Sequence, residues 1–291
     1  MLSLFGTEMS KQWRRPRTYV ALGLTVAVPI IVVTALKANP PSTPRGGEGD
    51  FFFFLATRTG LFLPVAALRV MSRFLLVIVV ALFAGDAIAS EASWGNLRAM
   101  LVRPLGRGRL LSSKLVSAAL LGLIGTALIV VTGLVVGGIA YGWHPISSIH
   151  LTTTLGPLGV GPSTLHWIFN LGIAVLYVFW SLSSVVAFAF MVSTMTDSPA
   201  GAVFAGFGIY VFSQILDGIS SLGSIRYALP THYFDAWDAL FRPKGGFFRL
   251  GTGQVEGWTS DMTRGVLLPI AYVLVFLGIA WYHFRRKDVL S

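Results

Sequence analysis

The chain has 291 residues, of which 54% are hydrophobic and only 12% charged, with a mean hydropathy of +0.73 and a formal net charge of +10. That balance excludes an ordinary soluble domain, in which about a quarter of residues are charged. The absence of cysteine excludes a disulfide framework and thiol chemistry. The basic residues flank apolar runs instead of forming one stripe, so membrane topology accounts for them better than nucleic acid does.

At the N-terminus, Leu2, Phe5, Met9 and Trp13 fall at i, i+3, i+7 and i+11, with Lys11, Arg14 and Arg15 on other faces. This is the pattern of an amphipathic interfacial helix over 1–16, ended by Pro16. "KQWRRPRTYVAL" has the look of a twin-arginine signal, but the apolar run behind it exceeds an ordinary signal core and no small-residue cleavage site follows, so an uncleaved span is expected. Six runs can each cross a hydrocarbon core, near 19–36, 68–90, 115–139, 168–195, 200–217 and 265–283. They are continuous, without the ten-residue alternation of barrel strands, so the expected fold is an all-α polytopic membrane protein, one transmembrane domain over 1–291.

With an even number of spans, three basic clusters share one side: Lys11 to Arg17, Arg98 to Lys114, and Arg285 to Lys287. The positive-inside rule makes that side the cytoplasm, with both termini there and the chain multi-pass in the inner (plasma) membrane. Arg69 and Arg73 fall at the outer end of the second span, where they either snorkel to the interface or line a wet path. The connection 37–67 runs from "KANPPSTPRGGEGD" into "FFFFLATRTGLFLP", which reads as an interfacial or re-entrant segment, or as an early start of the second span. His144, His150 and His166 in the third connection are too irregularly spaced for a good metal set. Between the fifth and sixth spans, Tyr227, Tyr233, Trp237 and Phe241 suit either an aromatic belt or a lid at the outer interface.

No motif for intramembrane chemistry is present. The chain lacks HExxH, GxSxG before a helix and GxxxxGK[ST], and "FAGDAIAS" lacks the first glycine of GxGD. Asp86 reads instead as a carboxylate at the inner end of its span, near Arg98 or Lys114. Nothing in the chain itself is expected to bind a cofactor or a metal. The span centres hold no charge, which argues against ion-coupled transport.

The segment "GDAIASEASWGNLRAMLVRPLGRGRLLSSK" is the informative one. Trp94, Leu97 and Leu101 lie at i, i+3 and i+7 and give a short cytoplasmic helix one apolar face beside Arg98; Pro104 and Gly106 end it, and Ser112 or Ser113 can cap the third span. Such a face fits a groove on a partner protein or the surface of the inner leaflet. Glu91, Gly95, Asn96, Leu97, Met100, Leu101, Pro104, Arg107 and Lys114 together resemble the pattern of the membrane subunits of ABC type-2 transporters, a glutamate ending the second span, then GTL-x-x-LL-x-x-P-x-x-R, then a lysine opening the third. Asn96 and Met100 depart from that pattern. The layout of entry helix, six spans and basic tail is similar as well.

The resemblance implies a non-catalytic half-transporter, two membrane subunits working with separate ATP-binding subunits that hold ATP and Mg. In it, segment 92–105 is the coupling helix, with Glu91, Trp94, Gly95, Leu97, Arg98, Leu101 and Pro104 at the ATPase contact. Ala205, Gly206 and Gly208 in the fifth span are small enough for a homodimer or heterodimer seam, for a pathway contact, or for packing within one subunit. Export of an amphipathic or hydrophobic compound is the expected activity. The alternatives are a permease dedicated to a cofactor, metal or lipid maturation pathway, an ion-coupled carrier without an ATPase, and an intramembrane enzyme.

Overall fold

A computed structural model describes residues 2–41, 48–95, 106–144, 150–153, 156–159, 163–242 and 255–286. It is an all-α polytopic membrane protein, with six helices long and apolar enough to cross a bilayer. The described residues add one small antiparallel hairpin, in which β1 (His150–Thr153) pairs with β2 (Gly156–Gly159).

Helix α1 (Leu2–Trp13) leads into α2 (Pro16–Ala38), whose first position is a proline with no amide hydrogen to waste. A short layer follows: α3 (Glu48–Ala56), a 3-10 turn (Gly60–Phe62) and α4 (Leu63–Ser72). Helix α5 (Leu75–Ser93) starts only after a break at Phe74, whose backbone lies at φ −142° and ψ −68°. The second span therefore begins at Leu75 instead of near residue 68, and "FFFFLATRTGLFLP" is not its early start but falls in separate short helices.

Helix α6 (Arg107–Tyr141) has 35 residues, a length of about 52 Å. That exceeds a hydrocarbon core of roughly 30 Å, so its first turns extend beyond the membrane. Ser112 and Ser113 thus sit inside this helix and donate to the carbonyls of Arg109 and Leu110; they do not cap it. The fourth span is α7 (Thr164–Ser181) and α8 (Ser183–Met195), meeting at Leu182. Helix α9 (Pro199–Asp217) opens with Ser198, which accepts from the Gly201 amide at 3.2 Å. Two 3-10 segments, Ser220–Ala228 and Phe234–Leu240, connect it to α10 (Ser260–Arg286).

Helix α5 is the axis of the bundle: 78% of its most apolar stretch is buried, against 22% for α9 and 17% for α10. It packs on α6, α8 and α9; α2 lies on α6, and α10 lies on α8. The exposed sides of α2, α9 and α10 carry Tyr19, Ile31, Phe204, Phe212, Leu267 and Leu274, which face hydrocarbon in a bilayer.

One end of the bundle gathers the short helices. There the 3-10 turn lies directly on α6, where a side chain on Gly137 would come within 2.5 Å of the Gly60 carbonyl oxygen. Trp167 donates to the Leu61 carbonyl at 3.0 Å, Asn170 to Leu240 at 2.9 Å and Tyr177 to Tyr233 at 2.7 Å, so α7 holds both the turn and the second 3-10 segment. Tyr233, Trp237 and Phe241 are consequently buried, and only Tyr227 of the expected aromatic belt is exposed. Arg69 and Arg73 are held in ion pairs, Arg69 with Asp238 and Arg73 with Asp235 at 2.7 Å.

Candidate coupling site at the terminal end

The opposite end of the bundle carries α1, the last turns of α5, the first turns of α6 and the C-terminus of α10. Segment 96–105 leaves and re-enters here. Leu97, Arg98, Leu101 and Pro104 lie outside the described residues, as do Asn96 and Met100, but both roots of the segment are defined.

Lys114 on α6 reaches Glu91 on α5 at 2.6 Å and Glu8 on α1 at 3.1 Å. Lys11 closes the set, 3.2 Å from Glu8 and 3.8 Å from Glu91. Two carboxylates and two ammonium groups thus form a neutral cluster joining three helices. Beside it, Asp86 pairs with Arg17 and, at 2.7 Å, with Arg15, while Ser90 donates to the Asp86 carbonyl. Asp86 therefore finds partners at the entry helices, while Lys114, one of the two expected partners, is engaged by Glu8 and Glu91; the other, Arg98, lies outside the described residues. Glu8, Asp86, Glu91 and Lys114 are only 3% to 5% exposed, so each depends on its partners for the solvation that water would give.

Burial raises the pKa of the Glu8 carboxyl, but Lys114 and Lys11 outweigh it and hold the group below its ordinary value. Glu8 is therefore ionised at neutral pH, as the cluster requires. Electrostatic pairing also explains how α1 docks. Of the expected stripe, Phe5 and Met9 are half-buried, Met9 packing on the cluster around Leu22, Phe83 and Leu121, and Trp13 stays 37% exposed, whereas the fully buried positions are Glu8 and Gln12.

Two further contacts tie the end together. The Ser193 hydroxyl accepts from the amides of Ile88 and Ala89 at 3.1 and 2.9 Å, fastening α8 to α5. Arg107 donates to the Arg285 carbonyl at 2.6 Å and so satisfies an orphan acceptor at the end of α10.

Of the residues singled out in sequence, Glu91 is buried inside the cluster and serves to position the segment root. Trp94 is exposed, with the Arg15 and Arg17 guanidinium groups 5.4 and 5.9 Å from its ring centroid. Gly95 takes φ +70°, the left-handed conformation that ends a helix and suits glycine. In the fifth span Gly206 points inward, its place fixed by α8: a side chain there would lie 2.6 Å from the Ala189 methyl. It is spent on packing within the subunit, while Gly208 is exposed with open space around it and Ala205 is half-buried. Glu8, Lys11 and the Arg15 and Arg17 pairing to Asp86 were not singled out. Their signal was a lone acid within a basic helix and a lone acid near the end of an apolar span.

A family model described as "Protein of unknown function (DUF2705)" matches residues 47–290. The chain is 25% identical over 216 residues to the uncharacterized protein YhcI of Bacillus subtilis (strain 168), covering 72% of this chain and 63% of that protein, less than two thirds of its length. It is 25% identical over 294 residues to the probable ABC transporter permease protein NosY of Stutzerimonas stutzeri, covering 94% of each. With the family match extending over most of its length, including Glu91 and Lys114, the chain belongs to the DUF2705 family.

Proposed function

We propose that this protein is the membrane-spanning permease subunit of an ATP-driven ABC transporter, with ATP and Mg held by a separate cytoplasmic subunit. The observation that carries the reading is the Glu8–Lys114–Glu91 cluster. It clamps both roots of segment 92–105 to each other and to α1, leaving Trp94 exposed at the start of that segment. A connector must be stiff at its roots if a nucleotide-driven movement of a partner is to bias the spans, since a ligand shifts an equilibrium only through differential contacts. The full-length similarity to a probable ABC permease supports the same reading.

On this view the chain is non-catalytic and lies in the plasma membrane with α1 and both termini in the cytoplasm, an orientation favoured by the basic residues at that end. Trp94, Leu97 and Leu101 contact the ATPase. Glu91 acts through Lys114 as a positioning residue. A second permease copy completes the transporter, with the exposed Gly208 side of α9 available to it, and the direction is export of an amphipathic or hydrophobic compound.

The test is purification of the tagged protein from its native membranes, identification of co-purifying chains and assay of ATPase activity. An ATP-binding subunit in stoichiometric amount, lost on Leu97→Asp, is the expected result. A chain that purifies without any ATPase and moves solute in liposomes on an ion gradient alone would overturn the assignment.

A further inference from the structure

Helices α9 and α10 both pack extensively on α8 but at most sparsely on each other. The gap left between them is a cavity of about 160 Å³, roofed by the stretch between the two 3-10 segments at Leu229 to Thr231. Its floor is buried and carries hydroxyls: Ser181 at the end of α7, Ser184 at the start of α8, and Tyr210 and Ser213 on α9, with Thr231 in the roof. Its rim is apolar, formed by Phe212 on α9 and Phe276 on α10, with the Tyr272 ring beside them. Among the described residues, not one Asp, Glu, Lys, Arg or His lines it.

Depth follows from the helices. Ser213 is about 6 Å from the end of α9 and Tyr272 about 18 Å from the start of α10, so the cavity lies toward the loop end of these spans. Phe212 on its rim is 58% exposed on the side of an apolar span, a face that meets hydrocarbon and not water. An occupant therefore arrives from the membrane and leaves ions behind, because an unpaired charge in such a place has nothing to neutralise it.

Several of the hydroxyls are already engaged in one bond each. Ser213 and Thr231 share a hydrogen bond at 2.6 Å, Ser184 donates to the Ser181 carbonyl, Gln214 donates to the Tyr210 oxygen, and Tyr272 donates to the Ala228 carbonyl. Each oxygen keeps further capacity to accept, so a ligand hydroxyl can donate into the cavity. As for size, an apolar cavity of about 150 Å³ in another protein takes up benzene.

We propose that this gap binds an uncharged, membrane-dissolved amphiphile the size of a small substituted phenol, its ring or chain between Phe212 and Phe276 and its hydroxyl on the serine and threonine oxygens of the floor. As a substrate site this rests on the permease reading; the binding itself does not. It names the class of compound handled: neutral, lipid-soluble, with one hydrogen-bonding group.

The experiment uses the purified full chain in phosphatidylcholine nanodiscs and a phenol carrying a trifluoromethyl diazirine, with labelled residues mapped by mass spectrometry. The expected label falls on 209–216 and 272–276 and is competed by excess 4-propylphenol. It drops at least fivefold in Ser184→Leu, which fills the floor, and persists in Ser184→Ala, which leaves the space open. Label spread over Leu267 and Leu274 without competition would mean general partitioning into lipid and would overturn the proposal. So would equal labelling of parent and Ser184→Leu, or a disulfide between copies formed by Phe212→Cys, which would give the gap to a second subunit. Labelling as expected without a co-purifying ATPase would leave the site standing and remove the permease reading; an ATPase partner with no specific label would do the reverse.

Discussion

Lys114→Ala is the sharpest perturbation of the terminal end. It removes the ammonium group 2.6 Å from Glu91 and 3.1 Å from Glu8, two carboxylates that are 4% and 5% exposed. What remains is Lys11, at 3.2 and 3.8 Å, whose side chain is 41% exposed and bound less firmly. Breaking a buried ion pair from one side costs roughly 3–5 kcal/mol, and Lys11 offsets part of it, so a net loss of about 3 kcal/mol is expected in the docking of α1. That is a shift of roughly a hundredfold in the docked-to-undocked ratio. Because the chain has no cysteine, a single Met9→Cys reports it cleanly. Maleimide labelling at that half-buried position should quicken by one to two orders of magnitude in Lys114→Ala. The triple variant Glu8→Gln, Glu91→Gln, Lys114→Met, which leaves no buried carboxylate in the cluster, should label close to the parent rate. Unchanged labelling in Lys114→Ala would refute the claim that this cluster holds α1.

Three other perturbations follow from the same geometry. The Glu8 pKa is lower in the folded protein than its ordinary 4.5, so its contribution is fully present above that value and is lost as pH falls through the folded pKa; the gap in melting temperature between parent and Glu8→Gln should be open at pH 6 and close in that acidic window. Arg69→Ala takes the guanidinium from Asp238, which is 1% exposed, and should cost on the order of 3 kcal/mol, with Asp238→Asn in the same chain recovering much of it in a thermal melt. Gly60→Ala places a methyl on the Gly137 backbone and should lower the melting temperature sharply or abolish folding, whereas Gly208→Ala, with nothing within 4 Å, should be neutral. Equal melting of the two glycine variants would contradict the contact between the 3-10 turn and α6.

Hydropathy made the six spans legible because each is an unbroken apolar run, and a bilayer leaves such a run few alternatives to a helix. What it could not give was the partner of a charge. Asp86 stands in sequence close to Arg98 and Lys114, and that proximity suggested a pair; the structure gives Lys114 to Glu8 and Glu91 and brings Arg15 and Arg17 to Asp86 across a separation of about seventy residues. Likewise Arg69 and Arg73 resemble snorkelling residues at a span end until the 3-10 segment delivers Asp238 and Asp235 to them. The α1 stripe misled for a related reason. Amphipathicity identifies the face that seeks an apolar surface, but Glu8 and Gln12 are drawn to the bundle by Lys114 and by α2, and the Trp13 ring remains exposed. Helix packing was readable in composition yet not in direction: Gly206 and Gly208 differ by two residues and face opposite ways.

The two charge layers have different consequences for motion. At the terminal end, the Glu91–Lys114 pair binds the last turn of α5 to the first turns of α6, so a push on the intervening segment 96–105 acts on both helices and on α1 as one body. At the loop end, α4 is fastened by Arg69 to Asp238, and α5 follows it across the non-helical backbone at Phe74, packing far less on α4 than on α6, α8 and α9. A helix clamped to its neighbours at one end and hinged at the other tilts about the hinge. On the proposed reading, nucleotide-driven movement at Trp94 therefore tilts α5 about Phe74, and its packed neighbours α8 and α9 must follow it. Helix α10, which rests mainly on α8 and has no extensive contact with α5, is the span least obliged to move with them. The gap between α9 and α10 is then the place where relative movement of the spans changes volume, and the uncharged ligand proposed for it lies where such a movement would grip or release it.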